Sequence, residues 1–171
     1  MILKGFREKS NKKYFNKMLA NRKVSNTSKP IESLGVILNI DEVSNIEAIK
    51  SMSKFLNIRP NSFKIIAYSE AEQVEAMEFP CYSPKDIGWG GKIKNIELDM
   101  FLKTKFDALI SYYFTDNLDL KVLTAAANAD FKIGVLQEEQ RLNDLIINVN
   151  PEAIEVFKKE LLKYLSILKR I

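Results

Sequence analysis

The chain is 171 residues long, 46% hydrophobic and 28% charged, with a formal net charge of +4. That length suits one domain burying roughly 70% of the surface an unfolded chain exposes, and the balance excludes disordered, collagen-like and disulfide-framed chains. There is no histidine and a single cysteine, Cys81, which removes the commonest general base, the Cys₄ and Cys₂His₂ zinc sites and any intramolecular disulfide.

The net charge conceals an asymmetry. Residues 1–30 hold nine Lys or Arg against one acid, Glu8, for +8, and the remainder sums to −4. A basic arm on a mildly acidic body attracts phosphates of nucleic acid or anionic lipid, or docks on the acidic body of its own chain or a second copy. Lys4, Arg7 and Glu8 interrupt the N-terminal stretch too early for a signal peptide, and no run approaches a membrane span. The expectation is a cytoplasmic protein with no transmembrane segment.

In chain order, Tyr14, Phe15, Met18 and Leu19 fall on one side of a helix from about Phe6 to Arg22. A polar, turn-rich linker from Val24 to Pro30 follows. Leu34–Ile40 is an almost continuous apolar run, the signature of a strand buried on both faces. Ile46, Ile49, Met52 and Leu56 then recur at helical spacing. Phe63–Tyr68 predicts a second strand and Glu70–Met77 a short helical stretch. Phe106–Tyr112 predicts a third strand, Leu118–Ala129 a helix, Phe131–Leu136 a fourth strand and Leu145–Val149 a fifth. A final helix from Glu152 to Arg170 is entered at Asn150–Pro151, a good N-cap with Pro at the first helical position.

The alternation predicts a three-layer, Rossmann-like α/β sandwich of about five mostly parallel strands, preceded by a basic N-terminal helix. Residues 1–30 read as arm and linker and residues 31–171 as one α/β domain. Gln137–Asp144 is too short for an ordinary parallel crossover, so either the fifth strand is antiparallel at an edge, the preferred expectation, or a single helical turn is squeezed into the gap. Glu78–Asn95 holds Pro80, Pro84, Gly88, Gly90 and Gly91, and places Trp89, the sole tryptophan, among those glycines.

Ligands of open α/β sheets bind beyond the carboxyl ends of the strands. Asp41, Ser69, Ser111 and Asp116 stand there, and they form the candidate ligand site with Trp89 and Lys92 from the glycine-rich loop. The simpler reading makes most such residues helix caps: Ser44-x-x-Glu47 and Ser69-x-x-Glu72 fit capping boxes, and Asp116 and Asn150 fit N-caps. Trp89 equally reads as an aromatic folded back to plug the core edge. No phosphate loop or dinucleotide glycine turn is present, and no cofactor is expected. Asp41, Asp86, Asp107 and Asp116 offer oxygen ligands for magnesium, but their spacing matches no metal loop. Cys81 reads as a buried, inert thiol unless Lys85 lowers its pKa.

Lys9, Lys12, Lys13 and Lys17 flank the apolar strip of the first helix, as in an interfacial helix, and form a candidate anion-binding arm; the simpler and favoured reading packs that strip on the domain and leaves the lysines facing water. The final helix carries a stripe of Ile154, Phe157, Leu161, Tyr164, Leu165 and Leu168, widened by Val156, Leu162, Ile167 and Ile171. So broad an apolar face implies burial on two sides, the second covered by the N-terminal helix or by another subunit of a homodimer.

The stretches Phe106–Ser111, Asp130–Val135, Lys85–Lys92 and Lys163–Leu168 resemble an uncharacterised bacterial family classed as a domain of unknown function. That resemblance implies a small cytoplasmic α/β protein, brings no activity, and draws interest to Asp86, Trp89, Gly91, Lys92, Asp107, Lys132 and Gly134. A fainter similarity, at the level of fold, is to the acceptor half of bacterial heptosyltransferases, whose Gly-Asp turn and nucleotide-sugar half are missing here.

The leading expectation is a non-catalytic binding or assembly module, homodimeric through its terminal helices. The alternatives are a small enzyme or nucleotide-type ligand binder using the strand ends, and recruitment to anionic lipid or RNA through the basic arm.

Overall fold

Each apolar run becomes a strand flanked on both sides, because only a sheet covered on two faces can bury it. The computed structural model describes residues 2–26, 28–71 and 78–171. Its strands are β1 (Leu34–Asn39), β2 (Phe63–Tyr68), β3 (Cys81–Tyr82), β4 (Phe106–Tyr112), β5 (Ala129–Gly134) and β6 (Leu145–Ile146). They form one sheet in the order β3-β2-β1-β4-β5-β6, with every neighbouring pair parallel. The chain builds outward from β1 to β3, then crosses back to lay β4 beside β1. Strand order therefore reverses between β1 and β4, which is where an open α/β sheet has its crevice.

Helices α2 (Ile46–Lys50), α3 (Met52–Phe55) and α6 (Ile154–Ile167) cover one face. Ile49, Met52, Phe157, Leu161 and Leu165 pack there against Val36, Leu38, Ile110 and Tyr112. Helices α4 (Ile96–Lys103) and α5 (Leu118–Ala126) cover the other, setting Leu98, Phe101, Leu120 and Leu123 on Ile37, Ile66 and Leu109. The N-terminal helix α1 (Ile2–Ala20) lies outside α5, where Phe15 and Leu19 meet Val122 and Leu142.

Several expectations are corrected. The edge strand β6 is parallel, not antiparallel. It starts opposite Ile133, near the carboxyl end of β5, so the chain has only about 10 Å to return along the strand direction. An irregular segment manages this, burying Leu142 and Asn143 in place of a crossover helix. The glycine- and proline-rich stretch contributes an unforeseen strand, β3, and α4 was not anticipated either. Caps shift by one residue: Asn45, not Ser44, accepts the Ala48 amide, and Asn117, not Asp116, accepts the Leu120 amide. Asn150 and Pro151 form a turn closed by the Ala153 amide, and α6 starts only at Ile154 without a side-chain cap. The expected helical stretch from Glu70 to Met77 lies largely outside the described residues. Finally, α1 covers α5 and not α6, so the two terminal helices sit on opposite faces of the sheet.

Candidate functional site

The crevice between β1 and β4 is closed by the chain's own carboxylates. Beyond β1, Asp41 accepts the Ser69 hydroxyl at 2.6 Å and the Glu70 amide at 2.9 Å. Its neighbour Glu42 reaches across the reversal point to the end of β4. There it takes the amides of Phe114 and Thr115 at 2.8 and 2.7 Å, together with the Thr115 hydroxyl. Amides at this position hold ligand anions in related architectures; here a side chain of the same chain fills them. What remains is a shallow acidic recess of about 440 Å³ lined by Asp41, Glu42, Ser44, Asn150 and Glu152.

A second recess, of about 400 Å³, opens where the ends of β2 and β4 meet α1 and is lined by Lys4, Arg7, Tyr68, Glu70, Asp116 and Asp119, among others. The Asn117 amide donates to Glu70 at 2.9 Å and to the Tyr68 hydroxyl at 3.2 Å. Arg7 enters from α1, donating to the carbonyls of Pro84 and Ile87 at 2.9 and 2.8 Å and pairing with Asp119 at 3.3 Å. Burial pushes the Asp119 carboxyl up, and Arg7 pulls it back. Burial also raises the Tyr68 phenol above its ordinary range, so it stays a neutral donor. The recess can hydrogen-bond a polar molecule, yet its guanidinium-accepting corner is already filled by Arg7.

The six residues expected to form a ligand site are dispersed. Asp41 and Ser69 do meet, as a bonded pair. Ser111 lies in the core, sharing the Thr124 hydroxyl with Tyr113 at 3.1 and 2.9 Å. Asp116 lines the second recess and pairs with Lys121 at 2.5 Å. Trp89 and Lys92 lie on the loop beside α1. Trp89 is not folded into the core: it is 53% exposed. The half-buried Cys81 thiol is pushed up by burial and by Asp41 and Asp86, the opposite of activation. Among the described residues, no group of three Cys, Asp or Glu side chains is arranged to hold a metal ion. Sequence reasoning missed Glu42, Tyr68, Arg7 and Asp119, whose roles depend on contacts between distant segments.

The glycine-rich loop is the platform on which α1 docks. The Gly91 amide donates to Asn11, which is fully buried, at 3.0 Å. The Tyr14 ring, by its Cε1 and Cδ1 edge, occupies the space a Cβ on Gly91 would need. Gly90 and Gly91 have φ of 62° and 73°, left-handed values that favour glycine. With Arg7, Asn11, Phe15 and Leu19 turned inward, Lys9, Lys12, Lys13 and Lys17 face solvent and form no ion pair among the described residues. Most of the residues singled out by family resemblance serve the architecture. Asp107 accepts the Glu32 and Ser33 amides at the entry to β1, and Asp86 closes a capping box with Ser83. Lys132 donates to the carbonyls of Thr124 and Ala125 at the end of α5, and Asn143 packs on the bare α-carbon of Gly134. Trp89 and Lys92 instead face outward.

Among the described residues, no helix is long and apolar enough to cross a membrane. No curated protein matches the chain, and no solved structure does; heptosyltransferases are therefore not linked to it by these comparisons. One family model does match, over residues 7–168. The span begins at Arg7, the residue that ties α1 to the strand ends, and ends at Leu168 just beyond α6, so it takes in the sheet, the platform and α1 from Arg7 onward. The chain belongs to this family of unknown function, DUF6913.

Proposed function

We propose that the chain is a non-catalytic binding module whose working surface is the outer side of α1 together with the Trp89 loop, and whose partner is anionic. One observation carries this reading. The helix is fixed to the body by buried Asn11, Phe15 and Leu19 and by Arg7, and its four outward lysines lack internal counter-charges among the described residues. A charged face held in place and left unpaired attracts a polyanion without paying to order itself. The strand ends support the same view, since Asp41, Glu42, Ser69 and Ser111 all spend their polar groups on internal bonds.

Retention on immobilised heparin at rising salt tests the reading. The wild-type chain is expected to elute well above the salt needed for a K9Q/K12Q/K13Q/K17Q variant. Equal elution of the two overturns it. A second reading, self-association, draws on the outer flank of α6, where Val156, Tyr164 and Ile167 remain exposed because α1 packs elsewhere. A mass that stays monomeric across micromolar concentrations excludes it.

A further inference from the structure

Resting on the anionic-partner reading, we infer that the partner is an anionic lipid bilayer, entered at headgroup depth by Leu3, Phe6 and Trp89.

The loop and the helix form one surface. Ile87 and Ile93 pair as an antiparallel bridge, and the Gly88 amide bonds the Lys92 carbonyl at 2.7 Å, so Trp89 projects from a tight hairpin. This hairpin borders α1 along Ser10, Asn11 and Tyr14. At 3.6 residues per turn, Leu3, Phe6, Lys13 and Lys17 fall within about 60° of Ser10 around the helix axis. They therefore flank the hairpin. Leu3 and Phe6 are 73% and 56% exposed, and Lys92 and Lys94 are exposed on the hairpin itself. Glu8, the one acid of residues 1–30, lies elsewhere on the helix and lines the recess at the strand ends.

An aliphatic, a phenylalanine and a tryptophan ringed by lysines match the chemistry of a bilayer interface. The ring of Trp suits the headgroup layer, the apolar side chains gain by entering the acyl boundary, and lysines gain from anionic headgroups. A nucleic acid would use Trp89 for stacking and the lysines for phosphates, but it offers Leu3 and Phe6 nothing comparable.

Trp89 is the sole tryptophan, so its emission reports on this surface alone. Vesicles of phosphatidylcholine with phosphatidylglycerol are expected to shift that emission to the blue, and brominated acyl chains to quench it. Vesicles of phosphatidylcholine alone should do neither. An L3S/F6S variant, altered only at exposed positions, is expected to keep its circular dichroism and lose roughly tenfold or more in vesicle co-sedimentation. A K13Q/K17Q variant should lose about fivefold per lysine. Unshifted emission with phosphatidylglycerol vesicles, or co-sedimentation indifferent to L3S/F6S, overturns the inference. If poly(U) quenches Trp89 while vesicles do not, the bilayer is wrong and the anionic-partner reading stands. If vesicles, poly(U) and heparin all fail to engage the chain, both fall.

Discussion

The two terminal helices are attached to the same sheet domain by opposite means. Helix α6 is held by an apolar stripe: Phe157, Leu161 and Leu165 are fully buried, and Phe157 meets Tyr112 edge-on with ring centroids 5.1 Å apart. Helix α1 inserts only Phe15 and Leu19 among its fully buried apolar side chains, and adds directional bonds from Arg7 and Asn11. Burial of hydrocarbon is strong and tolerant of geometry, whereas hydrogen bonds are individually weak but demand one position. Thus α6 is part of the core, while α1 is an outer attachment positioned by directional bonds as well as by hydrocarbon. This difference explains why the lysines of α1 are displayed in a defined array.

The contrast predicts unequal penalties. Phe157→Ala is expected to lower global stability by about 3–5 kcal/mol, read from denaturant unfolding, because it opens a cavity in a packed core. A loss below about 1 kcal/mol would place α6 outside the core. Gly91→Ala should cost about 2–3 kcal/mol, since the new methyl group collides with the Tyr14 ring at a left-handed backbone position. Its effect should concentrate in α1. Hydrogen exchange is expected to speed up across residues 2–20 while β1 and β4 keep their protection. Uniform loss of protection would show that α1 and the sheet unfold as one unit and erase the distinction.

The fold was legible where burial is local. The runs at 34–40, 63–68 and 106–112 announce central strands because a strand covered on both faces is apolar along most of its length, the charged Lys64 and Asp107 standing only at the second position of theirs. By contrast, β3 is two residues whose identity as a strand comes from pairing with Ala67 and Tyr68, a tertiary fact with no signature in Cys81 and Tyr82. Helix α4 did carry a signal, an Asn95 cap followed by Leu98, Phe101 and Leu102 at helical spacing, obscured by the glycine-rich stretch before it. The direction of β6 depended on where along β5 it pairs, which length alone does not reveal. At the strand ends, Asp41 and Ser69 meet, but as a pair bonded to each other. Arg7 and Asp119 are 112 residues apart, and nothing in their local surroundings foretells the pairing. The basic character of α1 was plain in the sequence, but not that it would be pinned beside Trp89.

The turn just past the end of α1 tests whether the attachment reaches the core. Arg22 pairs with Asp144 at 2.6 Å, and the same carboxylate oxygen accepts the Lys132 amide at 2.7 Å. Burial, then the positive charge of Arg22, pushes the Lys132 ammonium down to about 8. The unfolded chain, with an ordinary lysine near 10.5, binds more protons between these values. Stability should therefore rise with pH from about 8 towards 10.5, and the benefit should vanish as pH falls below 8. The rise is expected to be on the order of 2 kcal/mol relative to Lys132→Met, measured as unfolding free energy against pH. Referencing to that variant cancels the raised tyrosines, which titrate higher. In Arg22→Gln the lysine should recover towards its ordinary value and the rise should shrink. An unchanged profile would mean that Arg22 sends no charge effect to Lys132.

The smallest stability effect is expected on the outer side of α6. Ile167 is 66% exposed, so Ile167→Ser removes contact with water and not with the core. In a monomer its unfolding free energy should stay within about 0.5 kcal/mol of the wild type. If a second copy covers Val156, Tyr164 and Ile167, two results change together: the wild-type midpoint rises with protein concentration, and Ile167→Ser abolishes that rise. The two helices would then differ in what they present outward as well as in how they attach, α1 displaying charge and α6 displaying hydrocarbon to a second copy. A midpoint independent of concentration in both proteins would exclude self-association through α6.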